Sequence, residues 1–398
     1  MVLSSVKLQE QDPNLTYAKK LSIDIGMKHA TTPLRALHLK QSPQCESRLI
    51  HSTSVRGINE IYLKLTKEKI FLIDNNIDQL TKFGRGLRYI FDQNPIKDEI
   101  NLLFFGYENK QPSLRKNTPP SDKEIEYLCN ILSHPSSDVI IPPVIEGIKG
   151  DDYLEFLKKF LSRLKSFKTN PVIMGFFPFV ATTDIRKIGS FYISKGINMF
   201  AVDFNGTNPL DFYTTIIEIQ KFTNLMEKEF KTDSYLHGFN VPITKVHPNT
   251  NVGSAKDILT FTMGFGSFGT NHRPSKLPLH VIESIQKKNA KKHIPPIKPL
   301  SSSFRLFNRN DYGYYKYNDA KNSFQEPSHM SIEISDLMSK KFSAYQIDGV
   351  RKSFNVERQA LEAKDIGTQI KEKSLKSYIE NKKYGAENIR YIMRIFQN

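Results

Sequence analysis

The chain has 398 residues, a net charge of +16 from 57 Lys and Arg against 41 Asp and Glu, and 39% hydrophobic residues. Such a length holds one large domain with an appendage, or two domains, and the mix of apolar and charged residues excludes a disordered or fibrous chain. Two cysteines far apart, Cys45 and Cys129, exclude a disulfide framework and any multi-cysteine zinc site.

Residues 1–20 read as a polar lead-in, without the apolar core of a signal peptide. Leu21 to Leu39 reads as two short strands around turns at Gly26 and at Thr31 to Pro33. Ile58 to Leu65 alternates weakly and fits helix or strand. Lys69 to Asp74, KIFLID, reads as a buried strand ending in a carboxylate, followed by a helix to Phe91. Asn101 to Phe105 and Val139 to Ile141 read as strands; Asp122 to Leu132 reads as a helix capped by Ser121. Asp151 to Phe167 carries Leu154, Leu157, Phe160, Leu161 and Leu164 at helical spacing.

Asn170 to Gly206 is the clearest unit. Val172 to Phe177 is an apolar run, Asp184 starts a helix with Ile185, Ile188 and Tyr192 on one face, and Ile197 to Phe204 is a second apolar run. Two continuous apolar strands around a helix predict a βαβ unit in a buried parallel sheet. Pro209 to Phe230 reads as a helix, Tyr235 to Phe239 as a strand, and Ala255 to Phe261 as a short helix before a glycine-rich segment. Strands alternating with helices over this span predict an α/β fold, a (β/α)8 barrel with insertions. The expected organisation is a barrel over 21–328, interrupted by a basic insertion at 284–303, and a C-terminal helical extension over 329–398.

In a parallel barrel the functional groups stand at the carboxyl ends of the strands. That rule selects Asp74 and Asp203, then the strand-end loops that carry His237 and His272. A carboxylate that caps the following turn explains Asp74 and Asp203 equally well. No GxGxxG or GxxxxGK(S/T) stands where a dinucleotide-binding or P-loop fold needs it, GFGSFG at 264–269 being a weak match, and no HExxH pair is present, so neither cofactor nor metal is expected. The positive charge suits a nucleic-acid partner, although a lysine-rich composition yields the same excess without one. Lys287, Lys288, Lys291, Lys292, Arg305 and Arg309 form the densest basic stretch, with no acidic residue among them. Lys28, Arg35, Arg85 and Arg88 are more scattered candidates. Pro171 to Thr183, the longest uncharged apolar stretch, is too short to span a bilayer, so a cytoplasmic protein without membrane contact is expected.

Several stretches together resemble the tRNA-guanine transglycosylase family, with its archaeosine-forming branch and DNA-modifying relatives. DIGMKHATTPLRAL is similar to the family's first strands, and Asp74 with Gln79 agrees with two positions of its Asp-Ser-Gly-Gly-Phe-Gln motif. Gly175 with Asp184-Ile185-Arg186 resembles its Gln-Gly strand and Asp-Leu-Arg helix start. LFNRNDYGYY, residues 306–315, is similar to an archaeal Leu-Phe-Asp motif, and FNVERQALEAKDI resembles the helix after its zinc site.

The resemblance implies a (β/α)8 barrel and a pentosyltransferase that exchanges guanine for a 7-deazaguanine in tRNA or DNA. It implies Asp74, Asp203 and Asp311 as catalytic candidates, and Gln79, Gly175, Asn308, His237 and His272 as substrate contacts. Nucleic acid, a 7-deazaguanine-type base and a homodimer or heteromer are the implied partners. The departures are specific. The family's zinc-binding His is Phe354 here, and no cysteine follows Cys129. Its nucleophilic Asp falls on Asn308 by one match or on Gly269 by another, and neither side chain forms a glycosyl ester. A catalytically inactive nucleic-acid-binding subunit and a small-molecule barrel lyase are the alternatives.

Overall fold

A computed structural model describes residues 4–39, 49, 55–109, 117–134, 137–167, 171–244, 250–272, 305–317, 319–320, 324, 330–338 and 344–396. They form a mixed α/β fold of parallel sheets and many helices. β1 (Ser4–Gln11), β2 (Lys19–Ile25) and β3 (Lys28–Thr31) make an antiparallel sheet. The opening residues are therefore a strand rather than a loose lead-in. β1 runs from Ser4 opposite Ile25 to Gln11 opposite Lys19 and buries Val6, so pairing with the more apolar β2 orders a segment whose own pattern is weak.

β4 (Leu34–Arg35) and β5 (Leu37–His38) are separated by Ala36 alone, yet they join different parallel sheets. One sheet has the order β4-β13-β11-β10-β9, built with β9 (Gly175–Phe177), β10 (Met199–Asp203), β11 (Tyr235–Phe239) and β13 (Ser267–Phe268). The other has the order β5-β6-β7-β8, built with β6 (Ile58–Thr66), β7 (Ile100–Glu108) and β8 (Val144–Ile145). At the other edges, a parallel bridge pairs Ile140 with Ile173, with Ile140 N donating to Val172 O at 2.8 Å and Met174 N to Ile140 O at 3.0 Å.

The helices are α1 (Lys67–Asp74), α2 (Ile77–Phe91), α3 (Asp122–Ser133), α4 (Gly150–Phe167), α5 (Thr182–Ser194) and α6 (Tyr213–Phe230). α1 corrects the reading of KIFLID as a strand. Strand β6 already runs through Thr66, whose hydroxyl accepts from Lys69 N, and only Ile70 and Ile73 of the apolar run are buried. A three-residue spacing of buried positions is helical, and Phe71 and Leu72 between them stay exposed. Ser121 caps α3 in a capping box with Glu124, as the sequence predicts. Asp184 lies inside the first turn of α5 rather than at its cap.

β12 (Val252–Ser254), β14 (Leu306–Asn308) and β15 (Gly313–Tyr315) form a small antiparallel sheet. The C-terminal part is helical: α7 (Ala344–Lys371), α8 (Leu375–Glu380) and α9 (Ala386–Phe396). Rings from both parallel sheets meet in the interior, where Phe104 of β7 stacks on Phe239 of β11 with centroids 4.3 Å apart and on the His237 ring at 5.7 Å. No helix among the described residues is long and apolar enough to cross a membrane.

Candidate functional site

Alternation along β6 turns Glu60 and Tyr62 to the interior, and alternation along β11 turns His237 and Phe239 there. Parallel pairing sets Ala201 beside His237 and Asp203 beside Phe239, so Asp203 shares that inner face at the carboxyl end of β10. His272 follows β13 and reaches back over the same end. The structure thus brings His237 and His272, both sequence candidates, onto a residue the sequence reading missed. His237 Nε2 lies 3.2 Å from Glu60 Oε2, and His272 Nε2 lies 3.2 Å from Glu60 Oε1.

Thr270 N donates to Glu60 Oε1 at 2.6 Å, so three nitrogen donors converge on one carboxylate. Glu60 is 0% exposed. Burial alone would raise its pKa, but the charge of His272 and hydrogen bonds from both imidazoles outweigh it and hold the carboxyl well below its usual 4.5. An ionised carboxylate only accepts, so each imidazole directs an Nε2–H at Glu60. His237 Nδ1 then accepts from Ser267 Oγ at 2.7 Å, and Ser267 Oγ is 2.5 Å from the Tyr235 hydroxyl.

Asp203 is tied to this cluster. Its Oδ1 accepts from Asn240 Nδ2 at 2.9 Å and from Asn205 N at 2.8 Å, and Asn240 Oδ1 accepts from His272 N at 3.0 Å. Asp203 is 2% exposed and so caps its own turn while it fixes the His272 backbone. The His272 ring sits among Tyr62, Phe239 and His38, at centroid distances of 5.0, 5.2 and 4.4 Å. Burial, then the neighbouring His272, pushes His38 down to about 3, and its buried Nδ1 has no hydrogen-bond partner among the described residues.

Gly269 is pressed against Glu60. A Cβ on Gly269 would stand 1.8 Å from Glu60 Oε2 and 2.2 Å from its Cδ, so the Glu60 carboxylate fills the space that a side chain at 269 would need. Only glycine fits there.

A second buried network supports the first. The Arg35 guanidinium lies 4.7 Å above the Phe268 ring and donates to Thr270 Oγ1 at 3.1 Å, to Phe268 O at 3.0 Å and to Gln359 Oε1 at 2.7 Å. Gln359 of α7 donates to Asp257 Oδ2 at 2.7 Å, which also accepts from the Tyr314 hydroxyl at 2.6 Å. Burial pushes Asp257 up to about 6 against those hydrogen bonds. Arg35 is therefore an internal cross-link and no nucleic-acid contact; Lys28 is paired with Asp138 at 2.9 Å.

The remaining candidates lie elsewhere. Asp74 ends helix α1, not a strand, and accepts from Asn130 Nδ2 of α3 at 2.6 Å, because the segment after β6 coils instead of extending. Gln79 is exposed in the first turn of α2. Gly175 faces the helix layer, where a Cβ would meet Phe200 and Tyr192 at 2.9 and 3.0 Å. Asn308 Oδ1 accepts from Asn310 N at 3.0 Å, and Asp311 accepts from Gly313 N at 2.9 Å and from the Tyr315 hydroxyl, so both shape the turn between β14 and β15. Arg309 is ion-paired with Glu362 and Asp365. Burial, then the nearby Arg351, lowers Arg305. Lys287, Lys288, Lys291 and Lys292 lie outside the described residues. No group of three or more side chains arranged to hold a metal occurs among the described residues. Comparison with protein-family models and with curated proteins gives no match.

Proposed function

We propose that this chain is a transglycosylase-like protein that exchanges a guanine or 7-deazaguanine base in tRNA or DNA, with Glu60 as its central carboxylate. The observation that carries this reading is the contact between Glu60 and Gly269. One match to the transglycosylase family puts its nucleophilic aspartate at position 269. Here glycine stands at 269 and a glutamate from another strand delivers its carboxylate into the vacated space. Eight parallel segments support a (β/α)8 barrel as the frame: β4 with β5, β6, β7, the 140–145 segment, β9, β10, β11 and β13, joined around the ring by the Ile140–Ile173 bridge. Asp203 then stands at the carboxyl end of β10, and Glu60, the third residue of β6, reaches Gly269 just past the end of β13.

In this reading the ribose C1′–N bond breaks with its electron pair on the departing base, which takes a proton from His272. Glu60 stabilises the oxocarbenium-like centre. The incoming base returns a proton to His272 as its nitrogen bonds to C1′. Asp203 and Asn240 hold the His272 backbone for both transfers, and His237 orients Glu60. The nucleic acid is met in the cytoplasm.

A second reading is an inactive nucleic-acid-binding subunit, paired with a further copy or a catalytic partner. The burial of Glu60 and Asp203, 0% and 2% exposed, favours it. Incubation with unmodified tRNA or DNA and labelled guanine or 7-deazaguanine separates the two. Incorporation that Glu60→Gln lowers at least a hundredfold and His272→Ala lowers at least tenfold supports exchange. Salt-dependent binding without incorporation supports the subunit. An absence of affinity for any nucleic acid sinks both.

A further inference from the structure

Helix α2 turns Leu80, Leu87 and Phe91 inward, with the Phe83 ring 6.0 Å from Phe105 of β7. Its outer side carries Lys82, Arg85, Arg88 and Tyr89, all exposed, Tyr89 to 74%. Between Asp78 in the first turn and Asp92 at the C-cap, the helix has these three cations and no carboxylate. Given the nucleic-acid partner of the preceding reading, we propose that this face of α2 binds the phosphate backbone of a nucleic-acid strand through Lys82, Arg85 and Arg88, with Tyr89 stacking on a base.

Residues three apart are neighbours on a helix surface, so the cations form one patch. Elsewhere the outer helices tie their surface cations to carboxylates of the next helix. Lys159 of α4 pairs with Asp122 of α3 at 3.0 Å, and Arg163 of α4 with Glu126 of α3 at 2.6 Å. Arg186 of α5 pairs with Glu218 of α6, and Lys187 of α5 with Asp151 of α4, both at 2.6 Å. The side chains of Lys82, Arg85 and Arg88 make no ion pair among the described residues. The helix dipole favours Arg88 in the last turn but gives nothing to Lys82 and Arg85 in mid-helix. Gly84 and Gly86 interrupt the same stretch, and a Cβ on either would meet nothing within 4 Å. Glycine inside a helix is less favourable than alanine, so neither packing nor helix stability asks for these two. They leave the surface low beside the cations, where a strand can come close to the backbone. Lys82 and Arg88 are separated by roughly 9 Å along the helix axis, the length of two to three nucleotides at about 3.4 Å each. Arginine pairs with phosphate in bidentate fashion. A cationic patch alone would suit an acidic protein equally; the exposed Tyr89 ring adds a stacking surface, which a strand with bases uses.

Fluorescence anisotropy of the full chain with labelled single-stranded RNA and DNA oligonucleotides, over a range of salt concentrations, tests this assignment. Arg85→Gln with Arg88→Gln is expected to weaken binding at least tenfold and to reduce the slope of log affinity against log salt by about 1.4. Tyr89→Ala is expected to weaken binding at least fivefold with the slope unchanged. Arg186→Gln with Lys187→Gln removes the same charge from α5 and is expected to leave affinity unchanged. Melting curves confirm that each variant is folded; Lys82→Gln with Arg85→Gln replaces the first pair if it is not. Binding that the α2 substitutions weaken no more than the α5 pair overturns this surface and leaves the exchange reading standing. An absence of binding to either nucleic acid overturns both. Displacement of the oligonucleotide by poly-glutamate at equal charge assigns the face to an acidic protein and overturns the nucleic-acid class.

Discussion

Glu60 shows how one side chain organises its surroundings. It is an ionised carboxylate with no solvent contact, supported by Thr270 N, His237 and His272. Glu60→Gln keeps the shape but turns an amide N–H₂ toward donors. The expected cost is about 3 kcal/mol at pH 7, measured by urea unfolding, because breaking a buried ionic network leaves uncompensated partners. The pH dependence has a definite sign. The folded-state pKa lies below the usual 4.5, so the stabilisation is fully present above that pH and is lost as pH falls through the folded value. Glu60→Gln is expected to flatten this acid limb; an unchanged limb would show that other carboxylates carry it.

His237 and His272 were candidates because the sequence puts them in strand-end loops; His272 does follow β13, but His237 is the middle residue of β11 and reaches the cluster from its inner face. Glu60 was not. In INEIYLKLT a glutamate between isoleucines reads as the wet face of a half-buried strand, and only the closure of β5 and β7 on either side makes that face interior. The one available signal was an Asn-Glu pair inside a strand flanked by apolar runs. Asp74 failed for the converse reason: a continuous apolar run looks the same in a short buried strand as in a helix lying on the sheet.

Helix α7 is the element that joins the C-terminal region to the parallel sheets. Gln359 bridges Arg35 and Asp257, Asn355 Oδ1 accepts from Phe307 N at 3.0 Å, and the buried Glu362 accepts from the Tyr312 and Tyr378 hydroxyls, both at 2.7 Å. Polar side chains thus point from α7 into the molecule, which is why its sequence shows a weak apolar stripe and hides its central position. Phe354, standing where the resembling family has a zinc-binding histidine, packs beneath the Arg358 guanidinium at 3.2 Å.

Asp257 gives this element a measurable pH response. Burial first raises its pKa, to about 6 from the usual 3.8, so the protonated form is favoured in the fold. Stability is highest below the lower value, falls as pH rises between the two, and is level above about 6. Asp257→Asn keeps acceptance from Tyr314 and Gln359, removes that slope, and is expected to raise stability at pH 8 by roughly 2 kcal/mol in denaturant unfolding. A variant less stable than its parent at pH 8 would show that the charge on Asp257 favours the fold through Arg35.

At the scale of the molecule, the alternation of strands and helices from 58 to 268 was readable, since parallel strands are apolar throughout and helices carry a stripe. The strand pairing across residue 36 was not. It depends on Ala36 carrying one extended segment from one sheet to the next, a property of distant partners rather than of the segment. The C-terminal helices pack on the parallel sheets through α7: a chain ending at residue 338 lacks Gln359 and leaves the buried Arg35 Nε–H without the acceptor it has here. It is expected to lose the cooperative thermal transition in near-ultraviolet circular dichroism, and a sharp transition in that fragment would show that the sheets fold alone.

The Arg35–Gln359 contact spans 324 residues, and the Asp12–Leu375 contact spans 363. On a ribosome that adds about 5–20 residues each second, Arg35 waits roughly 15–65 s before its partner is made. Throughout that interval the guanidinium lacks its Gln359 acceptor and has Ala36 O, then Phe268 O and Thr270 Oγ1, as its partners within the chain. The contacts of α7 that complete the Arg35 network thus form last, and the yield of folded chain is expected to vary with translation speed.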